Sequence, residues 1–397
     1  MFAKPSRHAA LQALEDFMPQ AKFYTKERNF DRGTDNRENV SQLSPYLRHR
    51  LLTEKEVWQK TLEHHSFETV EKFLQEVVWR TYWKGWLERR PLVWDEWVDA
   101  VGRSEDSKEL EKAREGKTGI GAFDTWAREL VATNYLHNHA RMWFASIWIF
   151  TLRLPWEAGA AFFLEHLLDG DPASNTLGWR WVAGLQTRGK HYVARAENIR
   201  RYTEGRLDPQ GQLDEEAEPL AAGDPPEKIE AELPPTVASD PPRSGDGLFL
   251  TTDDLAPETL FESGAFDSVA GGRPEIESLS PLREARAVSD FRAAAVRSAL
   301  SHTEDRNGKS GEWMDQTSGR TVVEWAETTR LKRVWFAHAP VGSTRRPLKQ
   351  IAEALEASGI EVRRYARQWD HDLHPFAKSG FFAFRKKAFP LLKVSLF

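Results

Sequence analysis

Glu76, Trp79, Arg80 and Trp83 fall at i, i+3, i+4 and i+7 within residues 66–90, so on a helix they share one face. An acid, two indoles and a guanidinium on one stripe can line a pocket that grips a flat polar ligand. The same residues would also serve as a plain Glu–Arg pair on a buried aromatic helix. Further on, NYLHNHARMW (134–143) sets Asn138, Arg141 and Met142 at i, i+3 and i+4 on an otherwise apolar segment. Polar groups on so hydrophobic a helix are costly to bury unless paired. His137 and His139 lie two apart, face different ways on a helix, and make no metal pair. In LLDGDPASNTLGWRW (167–181), two acids two apart, small residues and an Asn suit close approach to a ligand, and Asp169 can pair with Arg141. That segment lacks the remaining ligands of an EF-hand loop, so no metal site is expected. GxGxxG and GxxxxGK[ST] loops are absent, so a conventional nucleotide loop is not expected either.

The chain contains no cysteine. Disulfides, thiolate zinc sites and cysteine-held iron–sulfur clusters are thereby excluded, and redox chemistry must come from an organic cofactor or oxidisable side chains. Of 16 Trp, 12 precede residue 182, so the excess belongs to one part of the chain. It serves either a dense core or a functional role. Net charge is −5, which argues against a nucleic-acid partner until its distribution is read. Residues 208–246 hold 11 Asp/Glu against 2 Lys/Arg, whereas residues 1–207 hold 29 against 31 and are slightly basic. The most apolar stretch, Trp143 to Leu154, is too short to span a bilayer and carries Arg153. Met1 to Ala10 shows no apolar signal region. A soluble cytoplasmic protein, expected to be monomeric, follows.

At 397 residues the chain can hold two domains. Apolar residues at three- and four-residue spacing predict helices over His8–Met18, Glu54–His64, Ser66–Arg90, Asp124–Thr151 and Trp156–Leu168. Residues 208–246, with DPQG, DPPEK, ELPPT and SDPPRSGDG, show no apolar period and read as an extended or disordered linker. Beyond it, Gly247–Thr252 is a short apolar run, Arg333–Ala339 reads as a buried strand, Pro347–Ser358 as an amphipathic helix closed by Gly359, and Ile360–Tyr365 as a second strand. Strand, helix, strand is a βαβ unit and implies a parallel sheet. The expected fold class is therefore multidomain: an all-helical domain over 1–207, an acidic Pro-rich linker over 208–246, and a smaller Rossmann-like α/β domain over 247–397.

Five segments, YTKERNF (24–30), SQLSPYL (41–47), EVVWR (76–80), YLHNHARM (135–142) and LLDGDPASNTLGWRW, stand in one order across the first domain. In that order they resemble the flavin domain of the photolyase/cryptochrome family. The resemblance implies FAD in a helical bundle. Tyr24, Ser41, Leu43 and Ser44 would then hold its phosphates and adenine side, while Arg80, Arg141, Asp169 and Asp171 line the isoalloxazine and sugar region. Asn175 aligns with the position facing flavin N5, where Asn is the photolyase choice. Glu76, Trp79, Asn138 and Met142 match the lesion pocket of cyclobutane pyrimidine dimer photolyases, with Trp79 stacking on a flipped dimer and Glu76 and Asn138 on pyrimidine edges. Photolyases for the (6-4) lesion place His at the positions of Asn138 and Met142. Trp179 and Trp156 match the proximal and middle members of a photoreducing tryptophan chain whose distal member is Trp94 or Trp97.

The resemblance thus implies a light-driven repair enzyme whose partner is UV-damaged DNA, with a cryptochrome-like photoreceptor and a flavin-free helical nucleic-acid binder as the competing readings. There are departures. His139 replaces a frequent Arg, Thr176 and Leu177 a commoner Asn-Gly, and Phe73 a frequent Trp. Lys190, Arg195, Arg200 and Arg201 are either phosphate contacts or a solvated basic face. Relatives normally open with an α/β antenna domain. Here GLFLTTDDLAPE (247–258), residues 333–362 and GFFAFRKKAF (380–389) resemble parts of such a domain placed at the C-terminus. An antenna chromophore, of unknown identity, is possible there.

Overall fold

The computed structural model describes residues 3–187, 189–274, 281–307 and 311–395. Up to residue 202 the regular elements are helical. They are α1 (Arg7–Ala21), α2 (Tyr24–Glu27), α3 (Ser44–Arg48), α4 (Glu54–His64), α5 (Phe67–Glu88), α6 (Leu92–Arg103), α7 (Lys108–Glu115), α8 (Gly121–Thr133), α9 (Asn138–Ser146), α10 (Trp156–His166), α11 (Pro172–Val182) and α12 (Ala196–Tyr202). Local chemistry sets several of these starts. Thr53 and Glu56 form a reciprocal capping box at α4. At α11 the Asp171 carboxylate accepts from the Ser174 amide, and Pro172 takes the first position, where its missing N–H costs nothing. On α5, Val70, Phe73, Leu74, Val77 and Val78 are buried while Glu76, Trp79, Arg80 and Trp83 are only partly so. The polar-aromatic stripe therefore faces a cavity rather than the core.

The single helix expected over Asp124–Thr151 is not one helix. Asn134 adopts the left-handed conformation (φ 52°) and its side-chain amide donates to the His166 carbonyl, ending α8. His137 then caps α9, its ring nitrogen accepting from the His139 amide. The last turn, Ile147–Thr151, widens to a π-helix. Apolar spacing runs through the break and hides it.

The second part is α/β, as expected. Strands β1 (Asp246–Leu250), β2 (Ser268–Pro274), β3 (Glu312–Thr317), β4 (Arg333–Ala337) and β5 (Glu361–Tyr365) form one parallel sheet in the order β3-β2-β1-β4-β5. Helices α13 (Arg286–Asn307), α14 (Gly319–Thr328), α15 (Arg345–Ala357), α16 (Gln368–Leu373) and α17 (Phe381–Ser395) accompany it. Strand alternation divides the burial. Phe249, Val334 and Phe336 pack under Trp325, Leu348, Ile351 and Leu355 of α14 and α15. Leu248, Leu250 and Trp335 face the other way, into the core shared with the helical part.

Residues 208–245 contain one short 3₁₀ turn, Val237–Ser239, with turns at 210–211 and 244–245 and several bends between irregular stretches. They are pinned as they go. The amides of Leu220 and Ile229 donate to the carbonyls of Ala183 and Arg89, and the Ala366 amide donates to the Pro235 carbonyl.

A buried ionic network joins the two parts. Arg48 meets Asp253 at 3.0 Å and Arg50 meets Asp370 at 2.6 Å, while within the second part Arg367 forks onto Asp254 with two bonds of 2.6 Å. Glu88 accepts from the Val341 amide at 2.8 Å and from Arg345 at 2.6 Å. Among the described residues no helix is long and apolar enough to cross a membrane.

Candidate functional site

Two adjoining cavities, of about 450 and 400 Å³, lie between α3, α5, α9, α10 and α11. Arg28, Ser44, Glu76, Asn138, Arg141 and Asp169 wall both. Their size is that of small-molecule sites, about 300–1,000 Å³. Tyr24, Ser41, Leu43 and Ser44 line the smaller cavity, at the end where the motif reading placed phosphates and adenine. Arg80, Arg141, Asp169, Asp171 and Asn175 line the larger, with Glu76, Trp79, Asn138, Met142 and Trp179. Trp156 stands apart. With Trp97 and Arg180 it lines a separate wide groove of about 1220 Å³, closed on one side by residues 214–227.

Several wall residues are fixed by identifiable partners. Arg141 donates from Nε to the Leu136 carbonyl at 2.8 Å and from its fork to Asp169 Oδ2 at 2.9 Å. Asp171 is committed to Arg80 at 3.3 Å and to its own helix cap. Burial alone would raise its pKa, but Arg80, Arg48 and Lys84 outweigh that and hold the carboxyl well below the usual carboxylate range. Arg80 also meets Glu54 at 3.0 Å. The Asn175 amide donates to the Ala160 carbonyl at 2.7 Å, which leaves its Oδ1 as the group to present to a ligand. His139 stacks on Trp143 with ring centroids 4.0 Å apart, and its Nδ1 bonds the Asn29 carbonyl.

Three features lie beyond the motif reading. Arg28 is salt-bridged to Glu76, and it lies within YTKERNF, so the motif contains it without marking it. Phe381 of α17 stacks face-on against Trp79, with centroids 3.5 Å apart and planes 8° apart. Trp148 meets Trp179 edge-on at 6.1 Å, an indole neighbour to which no motif spacing points. The rings of Trp94 and Trp97 have centroids 4.9 Å apart, so the two candidates for the distal position are neighbours in the fold.

The cavities fit a flavin nucleotide by their unmet polarity. Asp169 Oδ1, Arg80 Nε and Trp179 Nε1 are buried in or beside the larger cavity without a hydrogen-bond partner, a condition proteins rarely tolerate unless a ligand completes it. A methyl built on Gly178, on the same wall, would meet no protein atom within 4 Å. That leaves room for close approach of a ring. Hydroxyls at the narrow end and guanidinium and carboxylate groups at the wide end suit phosphates and a polar ring edge respectively. Among the described residues no cluster of His, Asp or Glu could hold a metal ion.

Comparison with known proteins agrees with this geometry. Residues 73–217 match the family model described as the FAD binding domain of DNA photolyase. A deoxyribodipyrimidine photo-lyase of Thermus thermophilus is 36% identical over 191 residues, 46% of this chain and 43% of that protein. One from Agrobacterium fabrum is 32% identical over 188 residues, 45% of this chain and 38% of that protein. A cryptochrome structure from Synechocystis aligns with TM-score 0.46 and 24% identity over 50% of this chain and 43% of that one. The matched segments thus span under half the length of each relative. The FAD-binding match lies across the elements that wall the cavities, and these similarities place residues 73–217 with the FAD binding domain of DNA photolyase.

Proposed function

We propose that this chain is a deoxyribodipyrimidine photolyase, a carbon–carbon lyase that uses light to split cyclobutane pyrimidine dimers in DNA. The observation that carries the reading is the meeting of Glu76, Trp79, Asn138 and Met142 in one cavity with Asn175 and Trp179. When bound in reduced form, FAD supplies the light-driven electron that opens the cyclobutane ring and takes it back, so the reaction is redox-neutral. The protein's own residues do the rest. Tyr24, Ser41, Leu43 and Ser44 hold the phosphate and adenine end, while Arg80, Arg141, Asp169, Asp171 and Asn175 orient the ring. Trp79 offers an indole face to a flipped base. Glu76 and Asn138 address the pyrimidine edges, and the Arg28 ion pair keeps the Glu76 carboxylate in place. Trp179 and Trp156 serve reduction of the flavin from the surface. The catalytic domain is taken as 1–207, with 208–246 as linker and 247–397 as the antenna-like domain.

Illumination of the reduced holoprotein with thymine-dimer DNA under blue light tests this through restored thymine absorbance. Glu76→Ala should lower the yield about ten- to hundredfold, the weight of a hydrogen bond to a charged group, with FAD content unchanged. Intact flavin photochemistry without any restored absorbance would replace repair by the photoreceptor reading.

A further inference from the structure

Phe381 is 4% exposed and covers one face of Trp79, yet it does not line the cavity that Trp79 walls. It therefore packs the ring face turned away from the cavity, and the first turn of α17 is anchored at the cavity rim against Trp79 and Tyr82. The next residue, Phe382, is 72% exposed, with its ring 5.9 Å from Phe381. Lys386 and Lys387, one turn on, are also exposed, as is Lys378 just before the helix. Residues 382 and 386 stand at i, i+4 and so share a face. The helix, FFAFRKKAFPLLKVS, contains no acid. In a chain of net charge −5, this is a local cationic face with a bare phenyl ring at its head.

We propose that the outward face of α17 is a DNA-contacting arm. Phe382 stacks on a base beside the damaged site, and Lys386 and Lys387 lie along the flanking phosphates. This rests on the repair reading for the identity of the damaged site, but not for the affinity for DNA. Lysines neutralise phosphates and release counterions, and an exposed ring stacks on unstacked bases; together they make the usual footprint for a strand leaving a duplex. An anionic membrane surface also attracts a basic, partly apolar helix. DNA is favoured because the face begins at the Trp79 rim, where a flipped base would have to pass.

The test uses the full-length, flavin-loaded protein and binding of a labelled thymine-dimer duplex followed by anisotropy across a salt series. Phe382→Ala should weaken binding roughly five- to hundredfold. Lys386→Gln with Lys387→Gln should make the log–log salt slope shallower by about 1.8, from two lost phosphate contacts. All three side chains are exposed, so flavin content and melting temperature should stay at wild-type values. Unchanged affinity and slope would overturn the arm, as would a loss seen only in binding to vesicles of phosphatidylserine and phosphatidylcholine. If the wild-type protein repairs nothing but the variants still lose DNA affinity, the repair reading fails and the arm stands.

Discussion

Gly159 offers a sharp test of how Trp179 forms its wall of the cavity. A methyl built on Gly159 would lie 2.4 Å from Trp179 Cη2, 2.5 Å from Cζ3 and 2.9 Å from Trp148 Cε2. Ordinary carbon contact needs about 3.5 Å, so in Gly159→Ala the Trp179 ring must retreat by about 1 Å. Trp179 is itself buried, with Phe163 at 5.1 Å, Trp148 at 6.1 Å and Phe144 at 6.4 Å. The open direction is the cavity. Alanine in place of a helical glycine gains about 0.5–1 kcal/mol of propensity, but overpacking a closed core costs about 1–3 kcal/mol, so the clash wins.

The matched control is Gly178→Ala on the facing helix, where the new methyl meets no protein atom within 4 Å but enters the cavity. Gly159→Ala should lower both the melting temperature, by roughly 2–6 °C, and flavin content. Gly178→Ala should raise the melting temperature of the flavin-stripped protein while still lowering flavin content. Differential scanning calorimetry and flavin absorbance per protein separate the two. A Gly159→Ala protein with wild-type flavin content, melting no lower than Gly178→Ala, would refute a fixed Trp179 wall.

Acid sensitivity should reflect His374, whose pKa burial lowers to about 4 even though Asp370 and Glu88 pull the other way. Unfolded histidine titrates near about 6.5, so the stability tied to neutral His374 is whole above that pH. It is lost as pH falls from there toward 4, by about 3 kcal/mol. Urea unfolding at stepped pH should show this decline, and His374→Gln should flatten it. Asp254→Ala strips the forked partner from buried Arg367 and should cost about 3–5 kcal/mol, measured by the same unfolding; a loss under about 1 kcal/mol would mean that water reaches that guanidinium.

How much of this is legible in the sequence follows the range of the interactions. Asp171 and Asn175 sit at the cap and in the first turn of one helix, with Asp169 two residues before the cap, so their joint placement is a local matter that spacing conveys. Glu76, Trp79, Arg80 and Trp83 share a face for the same reason. The break at Asn134 is hidden from spacing because the residue that rewards it, through the His166 carbonyl, lies on another helix. Strands β2 (SVAGGRP) and β3 (EWMDQT) give no strand signal because neither carries a run of branched or aromatic residues. β2 is admitted by its glycines instead: a methyl on Gly272 would fall 2.1 Å from Thr317 Oγ1. The contact of Tyr82 with the Ser379 carbonyl bridges 297 residues, and no local pattern could announce it or the Phe381 stack beside it.

The placement of the α/β part has a structural consequence for a second chromophore. Open parallel sheets take ligands at the carboxyl ends of their strands, where strand order reverses, here between β1 and β4. Immediately after β1 come Thr252, Asp253 and Asp254, all buried. The Thr252 carbonyl is met by His49 at 2.7 Å, Asp253 by Arg48 and Thr344, and Asp254 by Arg367. After β4, His338 and the Val341 amide face Glu88 of α5. The crevice is therefore occupied by His49, Arg48 and Glu88 of the helical part together with Thr344 and Arg367 of the α/β part, and Asp253 serves as a docking point for Arg48. To one side lies a cavity of about 310 Å³ between His338, Arg345 and residues 229–232. In this chain the crevice where such a sheet would hold a cofactor has become the joint that brings α17 to Trp79. The C-terminal part thereby acts on the proposed lesion cavity through an aromatic stack, whether or not it gathers light.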